Sequence, residues 1–589
     1  MNKISKFIII LILFCQCNGD NFAQNSLNLD FELKVYDALL PKIWYTEGDG
    51  ISISLDSLEK HNGKFSLKIE THNKSTTNGT FIGRLPIETF AGKNIEYKGW
   101  IKTKELINGY AKLWFSVDDA NGEKTEFNDI HDYRLTGDND WTQVSIKMDL
   151  EKDLKNIRIG GIFTGEGIAW FDDLELYING EKYIDNVNFE KTSLSQKEIS
   201  EIKKYIYPLS TFEPDNTDTK DLKVLNKLIG NSKVVALGEV SHGSSEIFKM
   251  KNRIFQYMAA NNGFDIFSIE ANMPESYKLN NYTVRGEGDP KKLISDMIFW
   301  TWNTEEMLNM VEWMRKFNQH KKRIEFTGFD MQFYEGAVNE LFDAFKENEE
   351  VYIKIADLKK MLYQIINLAQ QKGVKIIVSD NEMNDIESII SFLQHNIETL
   401  TLQTFKKKWL QQNITIIKQS LGYYTGKYIW RDKCMADNFM WINENNPNSK
   451  FIIWAHNIHI MKTDHMMGSH LAQKLGDDYV TFGFTFFDGN FTAFGSKGIT
   501  SYEAAQAYHG TLEYLLNQLN EPIFILDLKK IKSDKHKDTE WLLERLDYRC
   551  ADAVAGGQFE FQNRKISTDF DYLIFIKTST PSVLFPDTQ

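Results

Sequence analysis

Val234-Val-Ala-Leu-Gly-Glu-Val-Ser-His-Gly243 is the stretch whose reading decides the fold. Four apolar residues run into Gly238 and Glu239, and His242-Gly243 follows three positions on. An apolar run of this length, ended by glycine, is the pattern of a strand buried on both faces. Ser245 to Asn261 then carries Ile247, Met250, Ile254, Tyr257 and Met258 at helical spacing. Glu239 and His242 are therefore predicted on a strand-to-helix turn, at the carboxyl edge of an α/β sheet where ligands bind. A carboxylate and an imidazole three residues apart on one turn can meet, and the carboxylate then fixes the tautomer and raises the ring's basicity. A helix cap, with Ser241 or Ser244 as N-cap and Glu246 in the first turn, explains the serines. It leaves the histidine flanked by glycines unexplained.

Working outward, Phe264-Asp-Ile-Phe-Ser-Ile-Glu270 is a second apolar strand ending in a carboxylate. Strand, helix and strand in this order predict parallel neighbours joined by a right-handed crossover, with Glu239 and Glu270 at one edge. Arg323 to Asp330 reads as a third strand, with Asp330 either facing the same cleft or capping a helix. Between these strands, Asp289 to Phe317 reads as helices, with Thr304 as an N-cap and the Trp300-Thr-Trp302 aromatics in the core. Gly336 to Lys427 is helical in pattern, and no proline occurs between Pro290 and Pro447. This suits long helices, read as an arm inserted into the α/β domain and a candidate lid over the cleft. Lys406-Lys-Lys408 reads as a solvated face. Arg431 then starts a helix that returns to the sheet. Phe451-Ile-Ile-Trp-Ala-His-Asn-Ile-His459 repeats the opening logic and brings His456 and His459 to the edge that holds Glu239, His242 and Glu270. Asp478–Phe484, Ile523–Leu526 and Asp571–Phe575 are further strands, with an amphipathic helix expected over Tyr502–Leu519.

The first third of the chain has a different grammar. Residues 25–190 show short alternating runs, such as Phe65–Ile69, Ala111–Val117 and Trp141–Ile146, separated by turn signals at Asn62-Gly63 and Asn121-Gly122. They predict an all-β jelly-roll-like sandwich, with Ile157–Phe163 and Ala169–Tyr177 at its rim. Asn28-Leu-Asp-Phe-Glu32 and Asn186-Val-Asn-Phe-Glu190 echo each other, marking the first strand and the exit into a linker at 191–221 that contains a helix at Ser195–Tyr205. Trp44, Trp100, Trp114 and Trp141 are available either as a sugar-stacking platform or as core.

Length and charge bound the rest. A chain of 589 residues needs more than one core. A net charge of −14 argues against nucleic acid or an anionic membrane as partner. Lys3 and Lys6 precede the apolar run Phe7 to Phe14, the pattern of an export signal over residues 1–23, too short to span a bilayer. Export to the periplasm, cell surface or medium is expected. Cys15 and Cys17 raise a lipoprotein alternative, which Phe14 and Gln16 ahead of them disfavour. Cys434 and Cys550 remain after cleavage, so this is no disulfide-built scaffold.

Gly238–Gly243, Glu246, Lys251, Ser268-Ile-Glu270, Gly328-Phe-Asp330, Arg431–Asn438 and Trp454–His459 together make residues 222–580 resemble the erythromycin esterase family. Trp170-Phe-Asp-Asp-Leu-Glu-Leu176 makes the preceding sandwich resemble carbohydrate-binding modules, which implies a glycan as its partner. The esterase resemblance implies metal- and cofactor-independent hydrolysis of an ester or macrolactone. It gives His242 as the base that activates water, with Glu239, Glu270, His456 and His459 completing a polar cluster. Lys251 stands where some members have arginine, and keeps the charge without the planar fork. Residue chemistry agrees: ester hydrolysis needs a base near neutrality and a cation or donors for the oxyanion, with Lys251 or Arg431 and, at the cleft, Asp330 as the substrate-side groups. No Gly-x-Ser-x-Gly elbow is present. Two other readings use the same residues: a zinc or manganese hydrolase built on the glutamates and histidines, although no His-Glu-x-x-His helix exists, and a secreted protein that binds a ligand or glycan without turning it over.

Overall fold

The computed structural model describes residues 27–34, 39–41, 44–71, 78–119, 124–128, 133–184, 191–320, 323–372, 375–426, 431–495, 497–555 and 560–586. The export signal with Cys15 and Cys17, the Asn121-Gly122 turn and the second Asn186–Glu190 echo lie outside the described residues.

The N-terminal module is an all-β sandwich. Its strands pair antiparallel in the order Tyr45–Asp49, Asn78–Arg84, Leu154–Thr164, Asn94–Asp119, Glu166–Ile178, Ser66–Thr71, Ile51–Asp56. The long Asn94–Asp119 strand also pairs with Leu135–Asp149, and its register shifts around Glu105 and Asn108, both at positive φ. That bend lets one strand serve both layers. Leu154–Thr164 and Glu166–Ile178 are central strands rather than the rim expected from sequence. Gly160 and Gly161 show why: a Cβ on Gly161 would lie 2.3 Å from the Phe81 ring, and one on Gly160 2.0 Å from the Phe81 carbonyl. The glycines make room for core aromatics. Asn28–Glu32 is a turn, not a first strand, with Asn28 and Phe31 at positive φ and the Asn28 side chain bonded to both backbone groups of Leu33. Trp44 is core, packed on Phe31 and Phe81, and Trp114 is buried. Trp100 and Trp141 are half-buried, and the His61 ring covers Trp100 at 4.1 Å. Two of the four tryptophans proposed as a sugar platform are therefore interior.

The α/β unit carries one sheet in the order Ile206–Pro208, Ile523–Asp527, Tyr572–Ser579, Tyr479–Gly495, Val234–Leu237, Phe451–Trp454, Ile266–Asn272, Glu325–Asp330. The last six strands are parallel to one another, and the first two pairings are antiparallel. The opening strand and Ile266–Asn272 are parallel but not neighbours, because Phe451–Trp454 lies between them. Val234 and Ile266 both register with Phe451. The three strands thus end together, and Glu239, Glu270 and His456 leave at one edge. Residues expected as a linker join this unit: Gln196–Ile202 is a helix with a Ser195/Glu198 capping box, Ile206–Pro208 is the edge strand, and Leu194, Ile202 and Tyr205 are core. The expected helix over Tyr502–Leu519 is shorter. Gly498–Glu503 folds back on Tyr479–Gly495, Gly510 sits at φ +95°, and only Leu512–Asn517 is helical behind a Thr511 cap.

Helices cover both faces. Ser245–Asn261 and Glu305–His320 pack on one. Four helices, Glu335–Ala344, Glu349–Lys372, Asp380–Thr399 and Thr404–Thr425, form the inserted arm. Their apolar faces, among them Leu341, Leu362, Ile390 and Ile417, share one core with Phe451 and Ile453 of the sheet. The arm is a packed layer. Its Lys406 is paired with Glu340 at 3.0 Å rather than simply solvated.

After the last strand the chain forms a strap. The Ser245 N–H donates to the Thr580 carbonyl at 2.9 Å and the Ser582 N–H to the Gly243 carbonyl at 2.8 Å. Glu246 accepts from the Thr580 amide and hydroxyl. Further along, the Glu305 N–H donates to Val583 and the Phe585 N–H to Asn303. The Ser244 side chain makes no capping bond to its own helix; residues 580–582 supply partners at that terminus instead.

Candidate active site

The turn after Val234–Leu237 is shaped by close approach. A Cβ on Gly238 would lie 2.1 Å from Asn457 Oδ1, and one on Gly243 1.9 Å from the Thr492 carbonyl. Glycine is obligatory where backbone or a fixed amide comes this near. Thr492 N–H and Ser582 N–H both donate to the Gly243 carbonyl, so the turn is held from two sides.

Within it, His242 Nδ1 lies 2.7 Å from Glu239 Oε1. A carboxylate only accepts, so Nδ1 carries the proton and Nε2 is left as the ring's open nitrogen. Glu239 is fully buried, and its other oxygen accepts from Lys251 Nζ at 2.8 Å and from the Trp454 indole. Burial raises the Glu239 carboxyl, but Lys251 and His242 outweigh it and hold the group below the ordinary carboxylate range. Burial lowers His242, and Glu239 outweighs that, with Glu270 and Asp552 adding to the rise. Burial drives the Lys251 ammonium down to about 7 against the pull of Glu239.

A second cluster abuts the first. Glu270 Oε2 accepts from the His456 N–H at 2.9 Å; its Oε1 lies 2.7 Å from Arg431 Nη2 and 3.2 Å from His459 Nε2. Arg431 grips Asp330 through Nε and Nη2, at 3.2 and 2.8 Å. His459 Nδ1 lies 2.7 Å from Asp432, which also accepts the Met467 N–H. Burial lowers His459, yet Asp432 and Glu270 lift it to about 10, so this ring is an imidazolium at neutral pH. Its Nε2 is also 3.0 Å from Arg431 Nη1, a contact between cations that three surrounding carboxylates offset.

The eight residues singled out by sequence thus assemble in one region, but their bonding sorts them. His456 is a clamp. Its Nε2 lies 2.7 Å from the Ala551 carbonyl and 3.2 Å from that of Val240, while Nδ1 accepts from the Ile458 N–H. Burial and His242 both push its pKa down. Lys251 and Asp330 are wholly buried, and Arg431 is committed to carboxylates. A direct grip on substrate by any of these three would require a buried ion pair to break, at about 3–5 kcal/mol. Among the described residues no group of three or more His, Cys, Asp or Glu is arranged to hold a metal ion. The imidazole nitrogens explain this, since His456 and His459 spend both of theirs on protein partners.

Sequence reasoning missed Asp552, whose Oδ1 lies 3.5 Å from His242 Nε2, and left Asp432 without a role. Asp552 follows the short strand Leu546–Arg549, and no motif marks it. Trp302 is core as expected, and from there it stands edge-on to His242 at 6.3 Å between centroids.

Residues 259–579 match the model of the family described as erythromycin esterase. That span contains Glu270, Asp330, Arg431, His456, His459 and Asp552, and begins after the Glu239–His242 turn. Putative hydrolase YbfO of Bacillus subtilis (strain 168) is 22% identical over 428 residues, covering 65% of this chain and 91% of YbfO. Erythromycin esterase type II of Escherichia coli is 27% identical over 327 residues, covering 49% of this chain and 76% of that protein. In three dimensions, the crystal structure of a succinoglycan biosynthesis protein is similar, with 25% identity, a TM-score of 0.57, and coverage of 66% of this chain and 98% of that one.

Proposed function

The chain belongs to the erythromycin esterase family, and from that premise we propose that it hydrolyses a carboxylic ester or lactone, with His242 taking the proton from the attacking water. The observation that carries this reading is the Glu239–His242 pair. One ring nitrogen is fixed by a buried carboxylate, and the other lies 3.5 Å from Asp552, a partly exposed carboxylate. The chemistry balances with these groups alone. The water oxygen bonds the acyl carbon as one of its protons passes to Nε2, the C–O bond breaks, and the leaving oxygen takes that proton, leaving a carboxylic acid that ionises by releasing its remaining proton to solvent. Glu239 stays ionised throughout and stabilises the transient imidazolium.

Charge favours a neutral or cationic substrate. Glu239, Glu270, Asp330, Asp432 and Asp552 outnumber Arg431, His459 and Lys251 around the base. Such a site repels anionic esters and expels a carboxylate once it forms. The leader-like residues 1–23 support an exported enzyme. A panel of simple esters, lactones and macrolides assayed with wild type and His242→Ala tests the reading, with a rate loss of about 10²–10⁴-fold expected for a general base. Turnover left intact in His242→Ala overturns it.

A further inference from the structure

We propose that Asp552 is a second acceptor for the attacking water, so that His242 and Asp552 hold it between them; this rests on the hydrolytic reading above. Two acceptors face each other beside the turn. With Nδ1–H committed to Glu239, Nε2 presents a lone pair, and Asp552 Oδ1 stands 3.5 Å away. That separation is longer than the about 2.7–2.9 Å of a charge-assisted N–H···O bond. Two lone pairs at that distance repel unless a molecule with two donors satisfies both. Water has two. One O–H points to Nε2 and the other to the carboxylate, and the oxygen lone pairs are left to face outward, where an acyl carbon approaches. The carboxylate thus turns the water as well as binding it.

Asp552 is placed for this by the fold and not by chance exposure. The Ala551 carbonyl before it is gripped by His456 Nε2 at 2.7 Å. On its other side, Ala553 O accepts from the Phe494 N–H and the Ala555 N–H donates to Phe494 O. Asp552 Oδ1 itself accepts from the Ala553 N–H at 2.6 Å. The clamp role of His456 then acquires a purpose: it fixes the segment that carries the second acceptor. Asp552 is also the wet member of the pair, with 35% of its side chain exposed against 10% for His242.

The groups facing the His242 ring are Glu239 on its own turn, Glu270 from the strand Ile266–Asn272, His456 at 5.1 Å between ring centroids, Trp302 and Asp552, with Lys251 behind Glu239. Only Asp552 can be neutralised without disturbing a buried ion pair. Asp552→Asn keeps the shape and an acceptor oxygen but removes the charge; Asp552→Ala removes both.

The test is made on the full chain. Carbethoxylation of His242 by diethyl pyrocarbonate, followed by peptide mass spectrometry across pH, reads the ring's own titration without any substrate. Hydrolysis of p-nitrophenyl acetate is measured in parallel. Asp552→Asn is expected to lower the His242 midpoint by about one pH unit, as loss of a nearby opposite charge requires. Asp552→Ala is expected to cut kcat by about 10- to 100-fold, the loss of one hydrogen bond to a charged group, with KM nearly unchanged. Thermal melting matched to wild type establishes that each variant is folded; an unfolded Ala variant leaves the Asn variant to decide. A midpoint unmoved in Asp552→Asn, or full kcat in a folded Asp552→Ala, overturns the proposal while hydrolysis by His242 stands. Absence of turnover by wild type on every ester refutes the hydrolytic reading and the water role together, with the midpoint still deciding whether Asp552 acts on His242.

Discussion

His459→Gln is expected to destabilise the α/β unit by an amount that fades as pH rises. His459 titrates near 10 in the fold against an ordinary value of 6.5, because Asp432 and Glu270 overcome its burial. A pKa raised on folding contributes stability that is present in full below the unfolded value and is lost as pH climbs to the folded one. Each pH unit between the working pH and about 10 is worth about 1.4 kcal/mol, so the charge contributes on the order of a few kcal/mol at pH 7 and roughly a third as much at pH 9. Glu270 and Asp432 stay ionised across that window, both held low despite burial, so the difference titrates with His459 alone. Urea unfolding of wild type and variant, followed by tryptophan fluorescence at pH 6, 7, 8 and 9, reads it directly. A gap that stays constant over this range, or one below about 1 kcal/mol at pH 7, refutes the assignment of an imidazolium at this position.

Other outcomes follow from the same geometry. Because Glu239, Glu270 and Asp552 raise His242 over the effect of its burial, the acid limb of a kcat/KM profile is expected to have its midpoint above 6.5, with activity rising as the ring loses its proton; a midpoint below 6.5 contradicts it. Gly243→Ala places a Cβ 1.9 Å from the Thr492 carbonyl, so the turn must move and activity is expected to fall at least tenfold even where the protein still folds. A chain ending at Ser579 loses the strap bonds to Gly243 and Ser245 and is expected to lose most turnover, with faster amide exchange over residues 239–246 as the measurement that separates a loosened turn from global unfolding. Dialysis against EDTA is expected to leave ester hydrolysis unchanged, since His456 and His459 have both ring nitrogens bonded to protein groups and only His242 Nε2 is open; activity lost on chelation and restored by zinc or manganese favours the metal reading.

The sequence spoke clearly wherever one residue's neighbours in the chain are its neighbours in space. Val234–Leu237 could be read as a buried strand and Ser245–Asn261 as its helix because periodicity is local, and Glu239 and His242 meet because a single turn joins them. What escaped was decided by contacts between distant segments. Phe451–Trp454 slots between two strands that are consecutive in sequence, which no crossover rule forbids and no local signal announces. Lys251 and Arg431 looked like substrate cations because ester hydrolysis needs a positive group for the oxyanion and the family resemblance pointed to them; their partners, Glu239 and Asp330, lie 12 and 101 residues away. Asp552 carries no periodic or motif signal, and its importance is visible only when His242 stands beside it. In the β module, Ile157–Phe163 reads as a rim strand from sequence, where the packing of Phe81 against Gly160 and Gly161 makes it a crowded interior.

The strap has one more consequence, which concerns time. Ser579 reaches Ser244 across 335 residues of chain. A segment synthesised that much later completes the surroundings of the Glu239–His242 turn, so in the half-made polypeptide, however well its early strands pair, that turn lacks its last partners. Such long-range closure comes late in folding, because the loop entropy is lost before the contact returns anything. The Glu239–His242 turn is thus complete only when the whole α/β unit has been made.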